Sequence, residues 1–73
     1  MAWKLVRDLG SWKLWVNTGD KSLRVSVVTG RDGSEVRGLF HKVTRSFGRF
    51  KSVNDAVARA KDVMDKFDAG EHF

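Results

Sequence analysis

The sequence predicts an α+β fold: a four-stranded antiparallel meander followed by one amphipathic helix. Three observations carry that expectation. Residues 3–43 alternate apolar and polar side chains with the period of strands, whereas residues 53–67 repeat every three to four positions like a helix. Turn-forming residues recur at Leu9-Gly10, Thr18-Gly19-Asp20 and Gly30-Arg31-Asp32-Gly33, the spacing of successive hairpins. Charge divides where the period changes: residues 1–51 carry 11 Lys or Arg against 4 Asp or Glu, and residues 52–73 carry 3 against 5.

The turns delimit strands at 3–9, 11–18, 22–29 and 34–43. If each loop closes on two central residues, Leu5 faces Leu14, Leu14 faces Val25, and Val25 faces Phe40. Trp3, Val16 and Leu23 then form a second row, and Trp12 and Val27 a third beside Gly38, so one face is wholly apolar. A two-residue slip in the last hairpin changes partners but keeps every side chain on its face. The opposite face receives Lys4, Trp15, Arg24 and His41 in one row, beside Val6, Lys13, Ser26 and Leu39, with Arg37 opposite Val28. The stretch from Thr44 to Lys51 has three readings: an extension of the fourth strand, a short fifth strand, or a basic loop. The sheet as a whole is assigned to residues 3–50.

For the helix, Ser52 followed three residues later by Asp55 is an N-terminal capping pattern. Val53, Ala56, Val57, Ala60, Val63, Met64 and Phe67 make one apolar stripe, while Asn54, Arg59, Lys61, Asp62, Asp65 and Lys66 take the other side. Gly70 is the expected stop, leaving a frayed tail at 68–73. Fifteen residues of helix reach about 22 Å, enough to cross a four-stranded sheet.

At 73 residues the chain is one small domain, 1–73, close to the size at which a core needs reinforcement. It has no Cys, which excludes disulfides and thiolate metal sites; three Trp and five Phe supply large buried areas instead. No stretch approaches the ~18 apolar residues of a membrane span, and the start of the chain lacks the apolar segment of a signal peptide. A cytoplasmic or nucleoid-associated location and no membrane partner are expected.

A basic sheet carried on an acidic helix fits an anionic polymer. Phosphate binding needs cations that displace counterions, and bases or sugars need flat aromatic or guanidinium surfaces. The outer sheet face offers both in Lys4, Lys13, Trp15, Arg24, Arg37 and His41. In the nucleic-acid reading Lys4, Lys13, Arg24, Arg37 and Arg45 bind phosphate and Trp15 stacks; in the plainer one Trp15 packs beneath long Lys and Arg stems. Arg45, Arg49 and Lys51, interleaved with Phe47 and Phe50, form a second basic–aromatic stretch, and loop residues Lys21 and Arg31 could add contacts at the sheet ends.

Catalysis has little to draw on. His41 and His72 are far apart, Asp62, Asp65 and Asp68 read as a solvated helix face, and Gly30-Arg31-Asp32-Gly33 opens no helix and so is a turn rather than a phosphate loop. The chain is therefore expected to be non-enzymatic, with no cofactor and no metal. Its expected partner is nucleic acid, DNA before RNA. The alternative is a small protein–protein module, such as a phage-type inhibitor that covers an acidic or nucleic-acid-binding surface of a host protein. A homodimer through the helix stripe or the edge strand near Trp3 stays open.

The passage Phe47-Gly48-Arg49-Phe50-Lys51-Ser52-Val53-Asn54-Asp55-Ala56-Val57-Ala58-Arg59-Ala60 resembles two related families. They are the plant ethylene-response-factor type of DNA-binding domain and the arm-type DNA-binding domain of phage tyrosine recombinases. Gly48, Phe50, Ser52, Asp55, Ala56 and Ala60 match their strand-to-helix pattern in kind. The resemblance implies a helix packed behind an antiparallel sheet that docks in the major groove of DNA. It covers about fourteen residues, and the Arg/Trp-rich strands of the plant family have no counterpart here, so no contact residue is carried over. In size, basicity and lack of cysteine the chain is also similar to small phage early proteins.

Overall fold

A computed structural model describes residues 3–70. Five strands precede one helix: β1 (Trp3–Leu9), β2 (Trp12–Asn17), β3 (Leu23–Gly30), β4 (Gly33–Phe40), β5 (Val43–Phe50) and α1 (Val53–Asp68). All neighbours are antiparallel and the sheet order is β1-β2-β3-β4-β5, an uninterrupted meander. The α+β class is thus as the sequence predicts, with five strands rather than four. The stretch after Thr44 is a full edge strand, because His41 and Lys42 close a two-residue turn with φ of 52° and 71° and send the chain back along β4.

The β3–β4 hairpin closes on Arg31 and Asp32, with Gly30 opposite Gly33. Val25 therefore faces Gly38, not Phe40, a two-residue slip that leaves the faces of β3 and β4 as expected. Gly33 has φ +111°, and a Cβ placed there would lie 2.3 Å from the Phe50 carbonyl oxygen. Strained backbone and a clash with main chain together make Gly33→Ala cost about 2–4 kcal/mol. A urea unfolding midpoint lowered without a change in slope is the expected measurement.

The β2–β3 connection overturns the expected faces. It is a five-residue loop organised by Asn17, which is buried and whose Oδ1 accepts hydrogen bonds from the Gly19 and Asp20 amides at 2.8 and 3.0 Å. Asp20 in turn accepts from the Ser22 amide at 3.0 Å, and Leu23 closes the loop onto the Asp20 carbonyl. The resulting register sets Trp15 opposite Val25 and Leu14 opposite Ser26. It is one residue away from the two-residue closure, and one residue is enough to turn β2 over. Trp15, expected outside, lies in the core at 8% exposure, while Trp12, Leu14 and Val16, expected inside, are on the outer face. In β1 the register shifts between Leu5 and Arg7, a bulge that leaves Val6 without an opposite residue.

Helix α1 packs over β3, β4 and β5. Its buried residues Ala56, Ala60, Val63 and Met64 meet Val25, Val27, Val36 and Phe40. Toward β1 and β2 the two inward Trp rings fill the space beside the helix. Trp3 meets Phe67 edge to face at 6.1 Å and donates its indole N–H to Asp68 Oδ1 at 3.0 Å; Phe67 also stacks on Phe40 at 5.3 Å. This explains why Trp rather than a smaller residue points inward here: the helix does not reach far enough to bury the first hairpin. Leu5, on the same side, remains 41% exposed. Ser52 caps the helix by accepting from the Asn54 amide at 3.1 Å, with Asp55 in the first turn. At the far end Gly70, at φ +95°, donates to the Phe67 carbonyl.

Candidate nucleic-acid interface

The face of the sheet turned away from α1 is ordered by three cross-strand rows. Lys4, Val16, Arg24, Leu39 and Thr44 form the first. Arg7, Leu14, Ser26, Arg37 and Ser46 form the second. Leu9, Trp12, Val28, Glu35 and Arg49 form the third. The face thus combines five cations, one carboxylate and an apolar strip, and its largest ring is Trp12, 37% exposed between Leu9 and Val28. Folding this strip outward leaves on the surface a run of alternate apolar residues that would serve a core equally well. Such a conflict between local pattern and fold is typical of an interaction surface.

Of the residues singled out from sequence, Lys4, Arg24, Arg37 and Arg49 share this face. The others do not. Trp15 is in the core, beneath the sheet. Lys13 follows Trp15 onto the helix side and pairs with Asp8, its cross-strand neighbour. His41 is in the β4–β5 turn rather than in a strand row, with Nδ1 3.3 Å from Ser22 Oγ. Arg45 lies opposite Gly38 and so belongs to the helix side of the edge strand. Arg59, expected in a solvated row, sits 5.7 Å from the centre of the Phe47 ring. Sequence reasoning missed Arg7 and Trp12. The signal that could have found Trp12 is Asn17-x-Gly-Asp, a side-chain-closed turn that ends β2 early and moves its register by one; Arg7 reaches this face through the β1 bulge.

Glu35 tempers the charge of the face. Its carboxylate accepts from Arg37 Nε at 2.7 Å and from Ser46 Oγ at 3.0 Å, and Arg49 lies 3.9 Å away. The Arg37 hydrogen bond, then that of Ser46, holds the carboxyl below its ordinary range. It therefore stays ionised at neutral and mildly acidic pH. Since its folded value is depressed, the stability it contributes is complete above the usual carboxylate range and is lost as pH falls through the folded value. Arg24 is anchored by Nε to the Lys21 carbonyl at 3.2 Å, which aims its guanidinium along the outer face near the loop. Among the described residues no group of His, Asp and Glu is arranged to hold a metal, and no helix is long and apolar enough to cross a membrane.

The geometry defines a helix-backed antiparallel sheet with a cationic, partly apolar open face. No family model matches the chain, and neither a curated protein nor a solved structure matches it.

Proposed function

We propose that the chain is a non-enzymatic nucleic-acid-binding domain that uses the outer face of its sheet. The observation that carries the reading is the grouping of Lys4, Arg7, Arg24, Arg37 and Arg49 around an exposed Trp12 on one surface. Cations neutralise phosphate and release counterions; Trp12 supplies the flat apolar contact that a base or sugar needs. DNA is the first polymer to test, because the passage from β5 into α1 resembles that of sheet-type DNA-binding domains. This role for Trp12 replaces the one expected for Trp15.

Glu35 supplies a test of this reading. As the anion nearest to Arg37 and Arg49, it competes with phosphate for both. Glu35→Gln should raise affinity for an oligonucleotide about twofold to tenfold at ~0.1 M salt. Mobility-shift titration measures the change, and weaker binding by the variant would contradict the placement of phosphate beside these arginines.

The apolar row Leu9, Trp12 and Val28 favours a second reading, a protein–protein module of the inhibitor type. There the same cations meet carboxylates, and association with the partner survives nuclease treatment.

A further inference from the structure

Within the outer face the rows leave a shallow recess of about 260 Å³. Trp12, Leu14 and Leu39 give it apolar walls, the hydroxyls of Ser26 and Thr44 are at its lining, and Arg24 and Arg37 stand at it from adjacent strands. The volume is many times the ~30 Å³ share of one water molecule, yet lies just under the ~300–1,000 Å³ of clefts that take drug-sized ligands. One planar ring system suits it. A hydroxyl both donates and accepts, so Ser26 and Thr44 can meet the edge of any base without selecting one.

The width of the sheet argues against a duplex. Five strands at ~4.8 Å spacing span about 19 Å, whereas the major groove of B-DNA is ~12 Å wide and admits a helix or a two-stranded ribbon. A sheet this wide does not fit the docking mode that the strand-to-helix resemblance implies. In a duplex the base faces are also stacked and cannot enter a recess, so only an unpaired base can reach Trp12.

We infer that the recess takes one unstacked nucleobase of a single strand, with Trp12 against its face and Arg24 and Arg37 on the flanking phosphates. This rests on the nucleic-acid reading of the outer face and adds a polymer form and a subsite to it. Glu35, hydrogen-bonded to Arg37, is the only acidic side chain in the three outer rows, and it sits one row from Arg37 and two rows from Arg24.

The test uses the intact chain and three labelled ligands of equal length: an oligothymidine, the same sequence as a duplex, and a strand of abasic phosphodiester. Fluorescence anisotropy at ~0.1 M salt should rank the oligothymidine at least about tenfold tighter than the other two. Trp12→Ala should weaken the oligothymidine about 5- to 150-fold and leave the abasic strand within twofold, while Trp12→Phe retains most of the affinity. A duplex or abasic strand bound as tightly as the oligothymidine would overturn the base recess and leave the cationic face standing. An equal loss on all three ligands in Trp12→Ala would overturn it too. Absence of binding to all three would overturn both.

Discussion

Trp15→Ala is expected to cost about 3–5 kcal/mol and to leave the domain much less stable at room temperature. The ring is 8% exposed, and with Trp3 it covers the part of the sheet that α1 leaves open. A chain of 73 residues has about 4–11 kcal/mol of stability in total. Removing so large a side chain from a core this small thus consumes a large share of it. Chemical denaturation and loss of the near-ultraviolet dichroism of the aromatic residues are the measurements. Had the sheet the register of two-residue closures, Trp15 would lie on the surface and the same change would cost little. The contrast with Trp12→Ala, which should affect binding far more than folding, separates the two faces of β2.

The second large effect concerns the outer face. Arg24→Glu combined with Arg37→Glu should weaken nucleic-acid binding about 100-fold or more at ~0.1 M salt. Two lost phosphate contacts already remove most of that through counterion release, and the introduced carboxylates repel the backbone. Both side chains are exposed, so the unfolding free energy should fall by no more than about 1–2 kcal/mol. Affinity within threefold of the unaltered chain would place the binding surface elsewhere.

How much of this was legible in the sequence varies by element. The helix was, nearly to its ends, since the Ser52 cap, the apolar stripe and Gly70 act locally and each signal lies within a few residues of the structure it sets. The β3–β4 pair kept its faces because a two-residue slip cannot change them. β2 is ambiguous in the sequence because both of its phases are plausible inside. Trp12, Leu14 and Val16 are wholly apolar, and Lys13, Trp15 and Asn17 offer an equally large ring. The choice is made by the length of the Asn17-to-Ser22 loop, one residue of which turns the strand over. β5 stayed undecided because its turn, His41-Lys42, takes positive φ without glycine and so lacks the usual mark of a tight hairpin.

The candidate site depends on the same choice of register. Arg24 and Arg37 lie on the outer face as the sequence predicts, being on strands whose faces a two-residue slip preserves, whereas the outer aromatic is Trp12 rather than Trp15. Arg7 joined them because the β1 bulge moves it from the side of Leu5 to the side of Lys4. None of these shifts is visible in composition, since the basic character of residues 1–51 is the same in either register.

The most direct test of the outer face as a nucleic-acid surface is the slope of log affinity against log salt for a single-stranded oligonucleotide. Five outer-face cations, with Glu35 neutralising part of their charge, predict a slope between about −2 and −4, reduced in magnitude by about 1.4 in the Arg24→Glu/Arg37→Glu variant. A slope shallower than about −1, or one that the double variant leaves unchanged, would contradict phosphate neutralisation by this face.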